Sequence, residues 1–453
     1  MCSDPRKTAL KVLNRLSSGE ITLDAVIDRM EAATDFADSR DRALFNTLVY
    51  GTLRWQGRLD HILAHFANRP LKKLDPRILN VLRIGLFQIT YLDRIPPSAA
   101  VNTAVNLVRT LAAPWAVPFV NAVLRRATSE LDQVPFPPPD DPSAAALAVN
   151  KSCPQWLVER WLSRYGVSDT IRLCDAVNEP ATVTLRVNTL KTNVDVLLAE
   201  IREAVGDAHR TDFAPDGIRL GRAAGALFKH SFYRDGLCAV QDEAAQLIGL
   251  LVDPQPGDRV LDGCAGLGGK SAHMAQLMQN RGRVIAVDRS DARLERLKTE
   301  MSRLGITIVK PLALPLEKAA DGGELRAPFD RILVDAPCSG LGVIRRNPDI
   351  KWSPLKADLD RYQRIQAHLL EQAAPLVRPE GLLVYSVCSS EPEETAAVVS
   401  GFLKNHPEFA ISAGSKALSG ARYAPLFCGT CLQTYPKHVE MDGFFGVRFR
   451  RVR

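Results

Sequence analysis

Leu261-Asp262-Gly263-Cys264-Ala265-Gly266-Leu267-Gly268-Gly269-Lys270 decides how the second half of the chain folds. The stretch leaves an apolar run at 259–261 and enters a helical segment, so its glycines fall at a strand-to-helix turn. A turn without side chains lets the backbone approach a bound nucleoside. The next apolar run, 284–287, ends in Asp288, whose carboxylate can accept both ribose hydroxyl protons. Further runs at 306–309, 332–334 and 382–387 are separated by helical stretches, in one of which Leu294, Leu297, Met301 and Leu304 share a face. This alternation predicts a Rossmann-like α/β domain over 236–453, an open and mostly parallel sheet with ligands bound beyond the carboxyl ends of its strands. The G-x-G-x-x-G fingerprint is absent, so the turn alone describes any nucleoside cofactor, a dinucleotide included.

Working outward, residues 151–235 read as a small α+β domain: a helix, a β-rich run at 182–187, a helix near 194–204 and a strand at 218–220. Before it, Pro135, Pro137, Pro138, Pro139 and Pro142 with Asp140 and Asp141 predict a semi-rigid linker over 134–150. Residues 1–133 read as all helix. Asp75 and Pro76 supply a cap and a first-turn proline for a helix whose apolar face carries Ile78, Leu79, Leu82, Leu86 and Ile89. A second face carries Val101, Val105, Val108 and Leu111. Residues 1–130 hold 18 basic and 12 acidic side chains, an excess of +6 out of +7 for the whole chain. That places a polyanion-facing appendage on a near-neutral body.

With 453 residues, 46% apolar and 24% charged, the chain exceeds one ordinary core and is not a disordered polymer. No apolar run is long enough for a membrane span and the first residues form no signal core, so a cytoplasmic protein is expected. Nine scattered cysteines point to reduced thiols rather than a disulfide framework.

Two of those thiols sit where the reactive end of a cofactor belongs. The fourth run of the sheet leads into Asp335-Ala336-Pro337-Cys338-Ser339-Gly340 and the fifth gives Tyr385-Ser386-Val387-Cys388-Ser389-Ser390. Each places a cysteine just beyond a buried strand. A single such cysteine is most simply a small buried hydrophobe; two at corresponding strand ends suit covalent catalysis. The chemistry that wants them is methylation at carbon 5 of cytosine, where a thiolate adding to carbon 6 makes carbon 5 an enamine nucleophile. Asp335 is placed to protonate or hydrogen-bond ring nitrogen 3. Spacing does not choose between the two thiols.

At these residues the chain resembles the RsmB/Sun family of 16S ribosomal RNA cytosine-5 methyltransferases, in the RsmB/NOP group. The resemblance covers nearly the whole chain. Its most specific matches are 335–340, the loop Gly342-Val343-Ile344-Arg345-Arg346-Asn347-Pro348-Asp349-Ile350-Lys351-Trp352, and Asp442-Gly443-Phe444-Phe445. The helical region is similar to a NusB-like RNA-binding domain through Asp41-Arg42-Ala43, Tyr50-Gly51-Thr52-Leu53-Arg54 and 120–126, and the middle unit matches through Arg186-Val187-Asn188-Thr189 and 240–244.

The resemblance implies S-adenosylmethionine as cofactor, held by Cys264, Ala265, Gly266, Leu267, Gly268, Gly269, Lys270 and Asp288, with Asp335 beside it. It implies Cys388 as nucleophile and Cys338 as the group that assists product release; DNA cytosine methyltransferases attack from the Pro-Cys position, which would be Cys338. Small-subunit ribosomal RNA is the implied partner, with a monomer expected and neither membrane nor metal. Two positions depart from the family. Leu267 stands where a proline usually fixes the turn, and Ala313 stands near the place of an acid that meets the adenine amino group.

Other features carry less. Cys428-x-x-Cys431 with His438 lacks the fourth ligand of a structural zinc site. Arg345, Arg346 and Lys351 are expected to grip RNA phosphates, and Arg448, Arg450, Arg451 and Arg453 to form a solvated strand edge. A transfer RNA cytosine-5 methyltransferase is the alternative within the class. A non-catalytic RNA-binding factor and a nicotinamide-dependent oxidoreductase are the alternatives outside it.

Overall fold

In the computed structural model, described except at residues 1–3, 18–21, 32–35, 37, 112, 222–223, 322–324, 326–327, 354, 436–439 and 453, the chain divides into two compact units. Residues 1–180 join 344–353 in one; 181–343 and 354–453 form the other.

The first unit is built as the helical periodicity predicts. Asp75 accepts the N–H of Arg77 at 2.8 Å, Pro76 occupies the first turn, and the helix Pro76–Tyr91 buries Ile78, Leu82 and Leu86. Around it pack Ser39–Arg54, Gln56–Phe66, Pro97–Thr110 and Ala116–Ser129, which contribute Phe45, Phe66, Val108 and Leu124 to the core. No strand occurs among the described residues of this unit. The proline-rich segment differs from an extended linker, because its carbonyls and apolar side chains find partners on the helices. His61 Nε2 lies 3.1 Å from the Pro135 carbonyl, the Arg58 guanidinium covers the Phe136 ring, and Asn150 Nδ2 donates to Pro137. Ser143 then caps a short helix, Ala144–Asn150. The following helix, Gln155–Ala176, groups with the helical body as well.

Segment 344–353 is sewn into the same unit. Lys351 Nζ donates to the carbonyls of Arg54 and Ser152 and to Asn178 Oδ1, each at 2.8 Å, and Trp352 Nε1 donates to the Leu53 carbonyl at 2.6 Å. Arg54 returns a bond to the Arg345 carbonyl at 3.0 Å. Lys351 is 0% exposed and Arg345 6%, which corrects the expectation that they grip RNA phosphates. A side chain without solvent contact has no phosphate to meet.

In the second unit, β1 (Thr184–Val187), β2 (Ala208–Arg210), β3 (Gly217–Leu220) and β4 (Cys238–Val240) make an antiparallel sheet in the order β2-β3-β1-β4. Leu185 and Val187 pack on Leu197 and Ile201 of the helix Val194–Val205. The larger sheet contains β5 (Arg259–Asp262), β6 (Arg283–Asp288), β7 (Val309–Ala313), β8 (Phe329–Asp335), β9 (Val377–Val387), β10 (Phe409–Ile411), β11 (Phe427–Cys428), β12 (Cys431–Gln433) and β13 (Phe445–Arg451). Its parallel part runs β7-β6-β5-β8-β9, so strand order reverses between β5 and β8. The carboxyl ends flanking that reversal are where a ligand crevice forms in this architecture.

Two expectations shift. The strand read at 306–309 begins only at Val309, because Ile306 donates its N–H to the Met301 carbonyl and closes the preceding helix through Gly305, at φ +72°. The basic tail is not an edge: β13 has β9 on one side and β12 and β10 on the other, and Arg448 is 6% exposed. Of that quartet, Arg453 lies outside the described residues.

Candidate active site at the carboxyl edge of the sheet

The glycine turn is folded by hydrogen bonds from both neighbouring strands. Gly263 N–H donates to the Leu333 carbonyl on β8 at 2.8 Å and Ala265 N–H to Val287 on β6 at 2.9 Å. Gly266 and Gly268 hold φ values of +56° and +84°, and a Cβ at Gly268 would lie 2.5 Å from Leu297 Cγ. At Gly266 and Gly269 a Cβ would meet nothing within 4 Å, so the backbone there faces open space. Asp288 accepts Gly266 N–H at 3.0 Å and Ser290 N–H at 2.8 Å, which orients its carboxylate while leaving acceptor capacity. Asp262, bonded to Ser271 Oγ at 2.6 Å, is pushed up to about 6 by burial, and its Oδ1 has no partner among the described residues. Open backbone, an oriented carboxylate and an orphaned buried oxygen together fit a nucleoside cofactor. Leu267 stands exposed at the tip, and Ala313 pairs across from Asp288 at the end of β7.

Arg186, a fully buried residue of β1, donates to the Gly269 carbonyl at 2.9 Å and to Gln276 at 3.2 Å. Asn188 donates to the Leu304 carbonyl at 2.9 Å. Through Arg186 the small sheet braces the glycine turn and the helix that follows it, and through Asn188 the end of the helix Asp291–Leu304.

At the neighbouring strand ends, Asp335 of β8 lies in register with Ser386 of β9. Ser386 Oγ donates to Asp335 Oδ1 and Lys270 Nζ to Oδ2, both at 2.7 Å. Burial pulls the Lys270 ammonium down, but the Asp335 carboxylate, joined by Cys388 and Asp262, outweighs it and the net shift is upward. The Phe444 ring lies 5.0 Å from the same ammonium. Cys338 and Cys388 bring their sulfurs to 3.1 Å. The hydrogen bond to Cys388 raises Cys338 well above the usual thiol range, with burial adding to it, so Cys338 holds its proton firmly beside Cys388. Burial pushes Cys264 up too, which makes it a packed thiol of the turn rather than a nucleophile.

All the sequence-predicted site residues thus lie on the carboxyl ends of β5, β6, β8 and β9 or in the turns that leave them. Lys270 belongs by its bond to Asp335 as much as by its place at the end of the glycine turn. Sequence reading missed what holds the thiols. Gly342 N–H donates to the Cys388 carbonyl at 2.9 Å and Gly443 N–H to the Gly342 carbonyl at 2.7 Å. A Cβ at Gly342 would fall 1.8 Å from the Gly443 oxygen, so the closing Asp-Gly-Phe-Phe run clamps the loop that carries Cys388. Cys428 and Cys431 face each other across the β11–β12 hairpin, whereas His438 lies outside the described residues.

A family model described as "16S rRNA methyltransferase RsmB/F" matches residues 249–450, a NusB family model matches 3–129, and a ferredoxin-like domain of RsmF/B-like methyltransferases matches 153–226. The chain is 33% identical to "Ribosomal RNA small subunit methyltransferase B" of Pseudomonas putida, over 99% of each chain. It is 35% identical to the Bacillus subtilis protein named "Probable ribosomal RNA small subunit methyltransferase B", over 98% of each. The chain belongs to the RsmB family. RsmB-family membership makes it an S-adenosylmethionine-dependent RNA methyltransferase with a NusB-like domain ahead of a Rossmann-like one. Among solved structures, PH0851 superposes with a TM-score of 0.81 at 26% identity over 99% of both chains. A methyltransferase homolog from Pyrococcus horikoshii gives 0.58 at 28% identity, over 69% of this chain and 99% of that one. No helix among the described residues is long and apolar enough to cross a membrane.

Proposed function

We propose that this RsmB-family enzyme methylates carbon 5 of a cytosine in 16S ribosomal RNA, with Cys388 as the covalent nucleophile and Cys338 as the release group. The 3.1 Å sulfur pair beside the Lys270–Asp335–Ser386 network carries the reading. When bound, S-adenosylmethionine supplies an electrophilic methyl group; Asp288 and the turn 264–270 would hold it.

The target base must leave its stack to present carbon 6 to a thiolate. Asp335, its carboxylate oriented by two donors, accepts from the exocyclic amino group of cytosine. The donor to ring nitrogen 3 is assigned to Lys270, whose ammonium is held beside the base site by its bond to Asp335. Once the Cys388 thiol has passed its proton to water, its thiolate adds to carbon 6 and the electron pair of the 5,6 double bond moves toward carbon 5, which would take the methyl group as the methyl–sulfur bond breaks and leaves its electron pair on the cofactor sulfur. Water then removes the carbon 5 proton, the double bond re-forms, and the carbon–sulfur bond breaks with its electron pair returning to Cys388. Cys338, holding its proton toward that sulfur, stabilises the departing thiolate.

Incubation with 16S ribosomal RNA and methyl-labelled S-adenosylmethionine, followed by bisulfite mapping, tests the reading. One bisulfite-resistant cytosine is expected. Label at another atom or base, or label unchanged in Cys388→Ala, overturns it.

A further inference from the structure

Both neighbours of Cys338 are tied to one buried carboxylate. Ser339 donates its N–H to Glu394 Oε1 at 2.7 Å and its hydroxyl to Oε2 at 2.5 Å. Gln366 Nε2 donates to the same Oε1 at 3.1 Å and to the Pro337 carbonyl at 3.0 Å. The Tyr385 hydroxyl lies 3.0 Å from Gln366 Oε1 and 2.6 Å from the Glu394 carbonyl, so the frame is anchored in β9, three residues before Cys388. Glu394, Gln366 and Tyr385 are all 0% exposed.

A loop can be held by neutral groups, and a buried carboxylate is costly unless hydrogen bonds satisfy it, as Ser339 and Gln366 do here. The donors that bond Glu394 among the described residues are neutral, so its charge is not cancelled by a bonded cation there and bears on the nearby thiol. Glu394 is one of the groups that strengthen Cys338's hold on its proton. Geometry and charge act in the same direction: the carboxylate fixes the loop on either side of Cys338 and favours the thiol form there.

We propose that Glu394 is the positioning residue that sets Cys338 against Cys388 and so gives the two thiols their different tasks. This rests on the reading of Cys388 as nucleophile and Cys338 as release group. Glu394→Gln keeps the size but gives Ser339 an amide N–H in place of one acceptor, which loosens the loop.

The test uses the full chain, a 16S ribosomal RNA transcript and labelled S-adenosylmethionine, with Cys338→Ala run in parallel. In Glu394→Gln the first methyl transfer should stay within a few-fold of wild type while kcat falls roughly 10²-fold, the usual cost of a small misplacement. KM for RNA should hold, and a protein–RNA adduct resistant to denaturation should build up as in Cys338→Ala. Glu394→Asp, which retains the charge, should recover part of the turnover. If circular dichroism shows Glu394→Gln unfolded, Ser339→Ala removes one of the two Ser339 bonds and should show a weaker form of the same split. An adduct in Cys338→Ala but none in the Glu394 and Ser339 variants, or first-turnover and steady-state rates falling together, overturns the inference and leaves the covalent reading intact. No adduct in Cys338→Ala itself defeats that reading, and the inference with it.

Discussion

Lys270 and Lys351 both withdraw an ammonium from water, and the two regions that hold them treat the charge in opposite ways. At the sheet edge Lys270 meets the Asp335 carboxylate at 2.7 Å, and its affinity for the proton rises despite burial. In the helical unit Lys351 meets two carbonyls and an amide oxygen, all neutral, and burial pulls it down to about 8. Three good hydrogen bonds satisfy the donors without replacing the lost hydration of the charge. The first arrangement keeps a cation and an anion available for chemistry. The second joins the segment 344–353 to the end of the helix Ser39–Arg54 and to Ser152 and Asn178, on either side of the helix Gln155–Ala176.

The comparison breaks most sharply at the thiols. Cys388→Ala should abolish methyl transfer and form no adduct, whereas Cys338→Ala should accumulate methylated RNA joined through carbon 6. Denaturing electrophoresis with labelled cofactor reads both. An adduct in Cys388→Ala and none in Cys338→Ala exchanges the two roles. Next in size is Lys270→Met, which removes the proposed donor to the base and leaves Asp335 without its cation. Single-turnover methyl transfer should fall by roughly 10² to 10⁴, the range for a positioned proton donor. Lys351→Met should leave that rate within a few-fold; an equal loss in both variants would erase the functional distinction between the regions.

The pH dependence of stability sharpens the contrast. Folded Lys351 releases its proton near pH 8 and an unfolded lysine near 10.4, so between these values the unfolded chain binds more protons and stability rises with pH. At about 1.4 kcal/mol for each pH unit separating the two states, the rise is roughly 3 kcal/mol. Lys270 has the opposite sign: its contribution is fully present below the unfolded value and is lost as pH climbs through the higher folded one. Urea unfolding of wild type and Lys351→Met at pH 7.5 and 10.5 isolates the first effect, which should be missing from the variant. A difference between them that does not change with pH would mean that the three acceptors hold the ammonium more strongly than burial repels it.

Most of the parallel sheet is legible in the sequence because each strand is an apolar run ended by a chemically marked residue: Asp262, Asp288, Asp335 and, past β9, Cys388. The helical unit is legible through caps such as Asp75. What periodicity does not carry is who bonds to a polar side chain after the chain has turned back. Lys351 reads as a phosphate ligand because its charge is local information, whereas Arg54, Ser152 and Asn178 lie far off in sequence. Glu394 escapes notice for the same reason: its partners Ser339 and Gln366 come from elements that sequence places 55 and 28 residues away. The tail reads as an edge because β10 and β12 are short, and a pattern of alternating arginines does not reveal that strands lie on both sides.

The smallest expected effect concerns the cofactor turn, where the comparison is between two ends of one crevice. The thiol end carries the Lys270–Asp335–Ser386 bonds, while at the end proposed to hold adenosine β7 offers no acid: Ala313 is exposed and stands opposite Asp288 in the strand register. An aspartate in that place would accept from an amino group on the ligand, and one added hydrogen bond is worth about 0.5 to 1.5 kcal/mol, or roughly two- to twelvefold in dissociation constant. Ala313→Asp should therefore tighten S-adenosylhomocysteine binding by that factor in calorimetry while leaving single-turnover methyl transfer at saturating cofactor unchanged. The gain should vanish for an analogue whose adenine lacks the amino group, since the new carboxylate then has nothing to accept. Equal tightening for both ligands would show that the carboxylate acts through charge on the sulfur or amino-acid end, and the adenine would have to be placed elsewhere along the strand ends.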